Sequence, residues 1–122
     1  MADLREDNAV LSAIVGEPIL PLVRAPGGAW NTTVLAAAGE CGVVRWDITT
    51  GDTGGDPSDV AQLVRNGEQG RTGSILLMHA NLPYAQQALP AIIALYGARD
   101  YTFVTLGQMF GLSGPVPFGA AP

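Results

Sequence analysis

The chain has one cysteine, one histidine and no run of basic residues, and each shortage removes a class of function. A single Cys41 can form no disulfide within the chain and no multi-cysteine zinc site. A single His79 has no second imidazole with which to share a metal ion. Only 14% of residues are charged, and the net charge of -5 comes without a block of lysine or arginine. Neither nucleic acid nor an anionic membrane is therefore expected as a partner. The N-terminus, MADLREDNAV, is acidic and lacks a long apolar stretch, so it shows no signal-peptide pattern and no membrane span. On that reading the chain stays where it is made. What is present is a globular composition: 48% hydrophobic residues in 122 are too many for a disordered chain and enough for one domain with a real core.

The pattern along the chain alternates. Leu4, Leu11, Ile14 and Val15 share a helical face over residues 3–15, and Gly16 is the stop. The apolar run ILPLV at 19–23 predicts a first strand, with Pro21 favouring an edge or irregular one. RAPGGAWN breaks the pattern, and Asn31 or Thr32 can cap the helix TVLAAAGEC, which closes at Gly42. VVRWD predicts a second strand. After a loop rich in glycine, aspartate and threonine, Asp56 is the expected N-cap of a helix with Pro57 as its first residue. SILLMH predicts a third strand, residues 84–96 a helix that Pro90 kinks or restarts, YTFVTL a fourth strand and LGQMFGL a short helix. Helix and strand in strict turn imply βαβ units and a parallel α/β fold. The tail SGPVPFGAAP is expected to be loose.

In parallel α/β folds reactive groups collect where strands end and loops begin. Each apolar run here ends on a polar residue: Arg24, Asp47, His79 and Thr105. If the strands are adjacent, Arg24, either Asp47 or Asp52, and His79 converge on one rim. A carboxylate near His79 would hold one tautomer of the ring, as a general acid or base needs. Each residue also has a plainer reading: a hydrogen-bonded structural histidine, a structural ion pair at Arg24, turn hydrogen bonds at the aspartates. Trp30 and Trp46 read as packing residues and Cys41 as a buried, inert one.

Three segments, LVRAPGGAWN, VVRWDITTGD and GSILLMHANLPYAQQALPAIIALYGARDYTFVTL, in this order and spacing, resemble the C-terminal half of the polysaccharide deacetylase (NodB-homology) family. The resemblance runs from about residue 3 to residue 106. It implies metal-dependent removal of acetyl groups from N-acetylated or O-acetylated sugar polymers on a distorted (β/α) barrel. By resemblance, Arg24 with Pro26 matches the arginine motif that holds the catalytic base. Gly27, where many relatives carry tyrosine, would supply a backbone amide to the oxyanion. Asp52 matches the aspartate that tunes the acid histidine, while Thr53 replaces a tryptophan that walls the groove. Leu77 and His79 match the motif whose leucine lines the acetyl pocket and whose histidine protonates the leaving amine; Ala80 stands where aspartate is frequent. Trp30 joins the implied substrate-binding residues.

The resemblance also implies what this chain lacks. The family's aspartate pair, in a strand-turn such as TFDDG, supplies the base and one metal ligand, and its H-x-x-x-H motif supplies further ligands; neither is in the sequence. Zinc or a similar divalent ion is implied for the complete domain, but none is expected to bind this chain alone. The expectation is thus about half of a NodB-like barrel, built from four alternating helix–strand units over residues 1–106, with a short helix and Gly/Pro-rich tail at 107–122. Four strands are too few to close such a barrel. Its open edges would be covered by an N-terminal half-domain or by self-association. A non-catalytic carbohydrate-binding or assembly module of the same descent is the alternative.

Overall fold

The computed structural model describes residues 2–54, 56 and 58–112; the SGPVPFGAAP tail lies outside the described residues. The elements in chain order are α1 (Ala2–Val15), β1 (Leu22–Val23), a 3-10 turn (Pro26–Gly28), α2 (Thr32–Ala38), β2 (Gly42–Val43), β3 (Ile48–Thr49), α3 (Val60–Gly67), β4 (Leu76–Leu77), α4 (Pro83–Ala98) and α5 (Leu106–Met109). Helices and strands are mixed along the chain, β2 running directly into β3 with no helix between, and both strand pairs are parallel, so the fold is α/β. The described residues divide into two compact units, one holding residues 2–45 and 104–112, the other running from Trp46 to Phe103.

In the first unit β1 pairs in parallel with β2, Leu22 opposite Gly42 and Val23 opposite Val43. Asn31 caps α2, its side-chain oxygen accepting from Val34 N–H at 2.9 Å. The capped helix closes at Gly39, which takes a positive φ of 62°. The apolar residues Val10, Leu11, Ile14 and Val15 of α1 are exposed, while the less exposed line is Leu4, Asn8 and Ser12. Ser12 turns inward because its Oγ accepts from Ile19 N–H at 3.3 Å and so ties the helix to the segment leading into β1.

In the second unit β3 pairs in parallel with β4, Ile48 opposite Leu76 and Thr49 opposite Leu77. Helices α3 and α4 cover this pair. Leu63, Ala88, Ile92 and Tyr96 form the core, with Val60, Val64, Leu76, Met78 and Tyr101 packed against it. Positions 85, 88, 92 and 96 repeat at helical spacing along α4, which is why one face of that helix is buried. Burying Leu63 and Ile92 contributes about 1.5–3 kcal/mol each. The rings of Tyr101 and Phe103 meet Tyr96 edge-on, with centroids 5.4 and 5.9 Å away.

Several boundaries differ from the sequence expectation. VVRWD is not one strand: Val44 N–H bonds to the Val23 carbonyl, whereas Asp47 N–H bonds to the Ile75 carbonyl, so the strand changes partner within five residues and is interrupted there. YTFVTL forms no strand, because Tyr101 is pulled back to α4 by its N–H bond to the Tyr96 carbonyl and Thr105 is used as the cap of α5. Among the described residues the strands therefore make two separate parallel pairs. Asp59, not Asp56, caps α3, accepting from Gln62 N–H at 2.9 Å, since the carboxylate of Asp56 is occupied by Ser58. Pro90 does not restart the helix, since α4 runs as one element through it; it lies on the exposed side, where water can meet the carbonyl it leaves unbonded. Among the described residues no helix is long and apolar enough to cross a membrane.

Candidate functional site

Parallel pairing of β3 with β4 brings residues that precede the strands together at one end and residues that follow them together at the other. Asp47, before β3, accepts from Ser74 Oγ and from Ile75 N–H, both at 2.7 Å, at the start of β4. Those donors, the serine hydroxyl first, hold the Asp47 carboxyl below its ordinary pKa. Asp52, after β3, meets His79, after β4. The sequence left both aspartates open as partners of the histidine; the structure brings Asp52 to it and assigns Asp47 to the other end.

The contact of Asp52 with His79 uses both carboxylate oxygens. Oδ2 accepts the backbone N–H of His79 at 2.7 Å, and Oδ1 lies 3.1 Å from the ring Nδ1. An ionised carboxylate only accepts, so Nδ1 is the donor in this contact, and Nε2 is the ring nitrogen that Asp52 does not engage. The Asp52 side chain is 0% exposed and the His79 side chain 37%, so the anchor is dry while the working ring is wet. Two donors from one residue offset the cost of burying the carboxylate. The loop that delivers Asp52 turns at Gly51, with φ 77°, and Asn66 on α3 donates to the Thr50 carbonyl at 2.8 Å. On the other side, Leu82 N–H bonds the His79 carbonyl at 3.1 Å as the chain turns into α4.

Leu77 is buried in β4, two residues before His79. Thr50, beside Asp52, was not singled out from sequence, yet its hydroxyl is buried without a hydrogen-bond partner among the described residues. No sequence signal marks it, because burial here is set by α3 packing over the loop.

In the first unit Arg24 follows β1 directly and is exposed. Pro26 and Gly27 lie in the 3-10 turn, where Gly27 has φ 62° and ψ 9°. That left-handed backbone explains a glycine at this position, since a side chain there would be strained. Trp30 is 50% exposed rather than packed, and the Arg45 guanidinium lies 5.7 Å from its ring centroid.

The donor set does not fit a zinc or similar centre. Among the described residues no three of histidine, cysteine, aspartate and glutamate are grouped to hold a cation, and the one histidine has its Nδ1 turned into Asp52.

No family model matches the sequence, and no curated protein matches it. Solved structures do. The peptidoglycan deacetylase PdaC from Bacillus subtilis matches with a TM-score of 0.72 at 23% identity, over 86% of this chain and 50% of that one. A deacetylase solved with substrate matches at 0.70 with 27% identity, over 91% and 54%. This chain shares the fold of solved polysaccharide deacetylases. A family 4 carbohydrate esterase from Streptomyces lividans, in complex with acetate, shares the fold at a TM-score of 0.60 and 24% identity, over 71% and 45%. The chain spans about half the length of these deacetylase structures.

Proposed function

We propose that residues 1–106 are the C-terminal part of a polysaccharide deacetylase domain, about half of its distorted barrel, and that they carry the acid side of its chemistry. The observation that carries this reading is the two-point hold of His79 on the buried carboxylate of Asp52. A general acid must be fixed in orientation, and its proton-transferring atom must be open to the substrate. His79 meets both conditions: Nδ1 is anchored, and Nε2 belongs to a ring that is one-third exposed. In the complete domain protonated Nε2 would give its hydrogen to the leaving amine of an N-acetylated sugar, while Asp52 stabilises the imidazolium. Leu77 would line the acetyl pocket. Arg24, with Pro26, would hold a base carboxylate supplied by another segment, and the Gly27 amide would face the oxyanion. Trp30 offers an exposed indole for a sugar ring.

The reading leaves the metal-binding and base groups to a complementary half, and it is supported by the lack of a three-residue donor group among the described residues; the proposed partner is that half-domain or, failing it, a second copy of this chain at the open strand edges. An acetylated polysaccharide is the proposed substrate. Because Trp30 is exposed and no three metal-ligating residues are grouped among the described residues, a carbohydrate-binding module without catalysis is the second reading.

The test joins this chain behind the portion of the Bacillus subtilis deacetylase that it does not match and measures acetate released from acetylated chito-oligosaccharide with zinc present. Release that falls by roughly 10²–10⁴ in His79→Ala supports the acid role. Release unchanged in His79→Ala overturns it. Sugar binding by the chain alone that is abolished in Trp30→Ala, with a joined protein that stays inert, favours the second reading.

A further inference from the structure

We infer that the Asp52–His79 pair is, without any metal, a nucleophilic catalyst for activated aryl esters such as 4-nitrophenyl acetate. The inference goes beyond acid catalysis in a completed domain, since it concerns this chain alone and uses the opposite protonation state of Nε2.

Three features of the pair lead to it. First, Nδ1 lies 3.1 Å from Oδ1 of Asp52, and an ionised carboxylate takes Nδ1 as its donor, so the neutral ring in this contact has its lone pair on Nε2. Second, the carboxylate is held independently of the ring by the His79 backbone N–H at 2.7 Å, so it stays in place as the ring takes on charge. Third, the ring is 37% exposed and no other contact of His79 engages Nε2 among the described residues, so an ester carbonyl can approach it.

The step balances without a co-reactant other than water. Nε2 attacks the acyl carbon and forms a C–N bond, and the carbonyl electron pair moves to oxygen. Its return breaks the C–O bond and expels the phenolate. The acyl-imidazolium left behind carries a positive charge, which the buried Asp52 carboxylate faces and stabilises. Water then adds to the acyl carbon, the C–N bond breaks with its pair returning to Nε2, and acetate leaves with both protons of that water released to solvent. An amide does not follow this course. Its amine must be protonated as it leaves, and with Nε2 bonded to the acyl carbon no second histidine is present to supply that proton. The same geometry therefore hydrolyses aryl esters while leaving acetamido sugars intact.

Cys41 is the rival nucleophile. It is half-buried between α2 and β2, and burial, followed by the charge of Glu40, pushes its thiol pKa up, which keeps the thiolate scarce near neutrality.

The test is the rate of 4-nitrophenolate release by the purified chain in excess EDTA. The expected result is saturable turnover that Cys41→Ser retains and that falls by about tenfold or more in His79→Gln. Asp52 acts here as a positioning residue. Asp52→Asn, checked for native circular dichroism, should lower kcat with KM little changed. Rapid mixing supplies a readout that needs no variant, namely the transient ultraviolet absorbance of an acyl-imidazole before steady state. Activity that survives in His79→Gln, activity lost in Cys41→Ser, or a wild-type chain that forms no acyl-imidazole each overturns the inference. A joined protein that fails to deacetylate sugar would leave these results untouched, so the two readings fail separately.

Discussion

The phenol of Tyr96 on α4 donates to the Gly67 carbonyl at 2.7 Å and accepts the Gly70 N–H at 2.8 Å, closing the end of α3 and the turn after it with one buried hydroxyl. Both backbone groups depend on a side chain because the helix has ended and β4 has not begun. Tyr96→Phe leaves a buried acceptor at Gly67 and a half-buried donor at Gly70 unpaired. The expected cost is about 1–3 kcal/mol, read as a lower urea midpoint with unchanged slope.

Close approach at Gly67 gives a coupled prediction. A Cβ built there would lie 2.7 Å from Ile92 Cδ1 and 3.3 Å from Thr50 Cγ2, inside the core. Gly67→Ala should destabilise by about 1–3 kcal/mol through overpacking, against a helix-propensity gain of at most about 1 kcal/mol. Ile92→Val removes the methyl that clashes. The double variant should be more stable than the sum of the two single losses, and strict additivity in a double-mutant cycle would count against the packing account.

Thr50 offers a gain. Its buried hydroxyl has no partner among the described residues, whereas its methyl group packs near Gly67. Thr50→Val keeps the shape and removes the unsatisfied group. The melting temperature should rise, with a stabilisation of about 1 kcal/mol.

Asp47 sets an acid limit. Ser74 and Ile75 donate to it and hold its folded pKa below the ordinary 3.8. Its contribution is therefore fully present above the unfolded value and is lost as pH falls through the lowered folded value. Urea melts from pH 6 down to about pH 3 should show Asp47→Asn closing part of its stability gap to the parent chain at the acid end. A gap independent of pH would show that the carboxylate charge is not what matters. The effect is expected to be small, because Asp47 is exposed.

Metal addition gives a last outcome. With one histidine committed at Nδ1 and no three-residue donor group among the described residues, zinc titrated into the chain should produce no tight calorimetric binding. Acetamido sugars should stay intact in the same mixture. Tight binding, or turnover with zinc alone, would overturn the assignment of the metal ligands to a complementary half.

Much of the helical content could be read locally. Asn31 before an alanine-rich run, Gly16 after α1 and the helical repeat of α4 are interactions within a few residues, so they survive in the folded chain. The strands were harder to delimit. YTFVTL has the β-branched and aromatic composition of a strand, but its aromatic rings gain more by packing on Tyr96 than its backbone gains by pairing. The strands that do form are two residues long, and pairing of that length is decided by neighbours distant in sequence. The site was legible to the same degree. His79, Asp52 and Leu77 stand out by pattern and resemblance, but Thr50 does not.

The sequence by itself determined the inventory: one imidazole, one thiol, no H-x-x-x-H motif, and a mixture of helices and short strands. Tertiary structure decided which carboxylate meets the imidazole. Asp47 and Asp52 flank the same short strand, and either could pair with His79 on local grounds. The parallel register of Thr49 with Leu77 places the residues after both strands side by side, which joins Asp52 to His79 and leaves Asp47 to Ser74. Register depends on packing between segments some 27 residues apart, and no local preference encodes it.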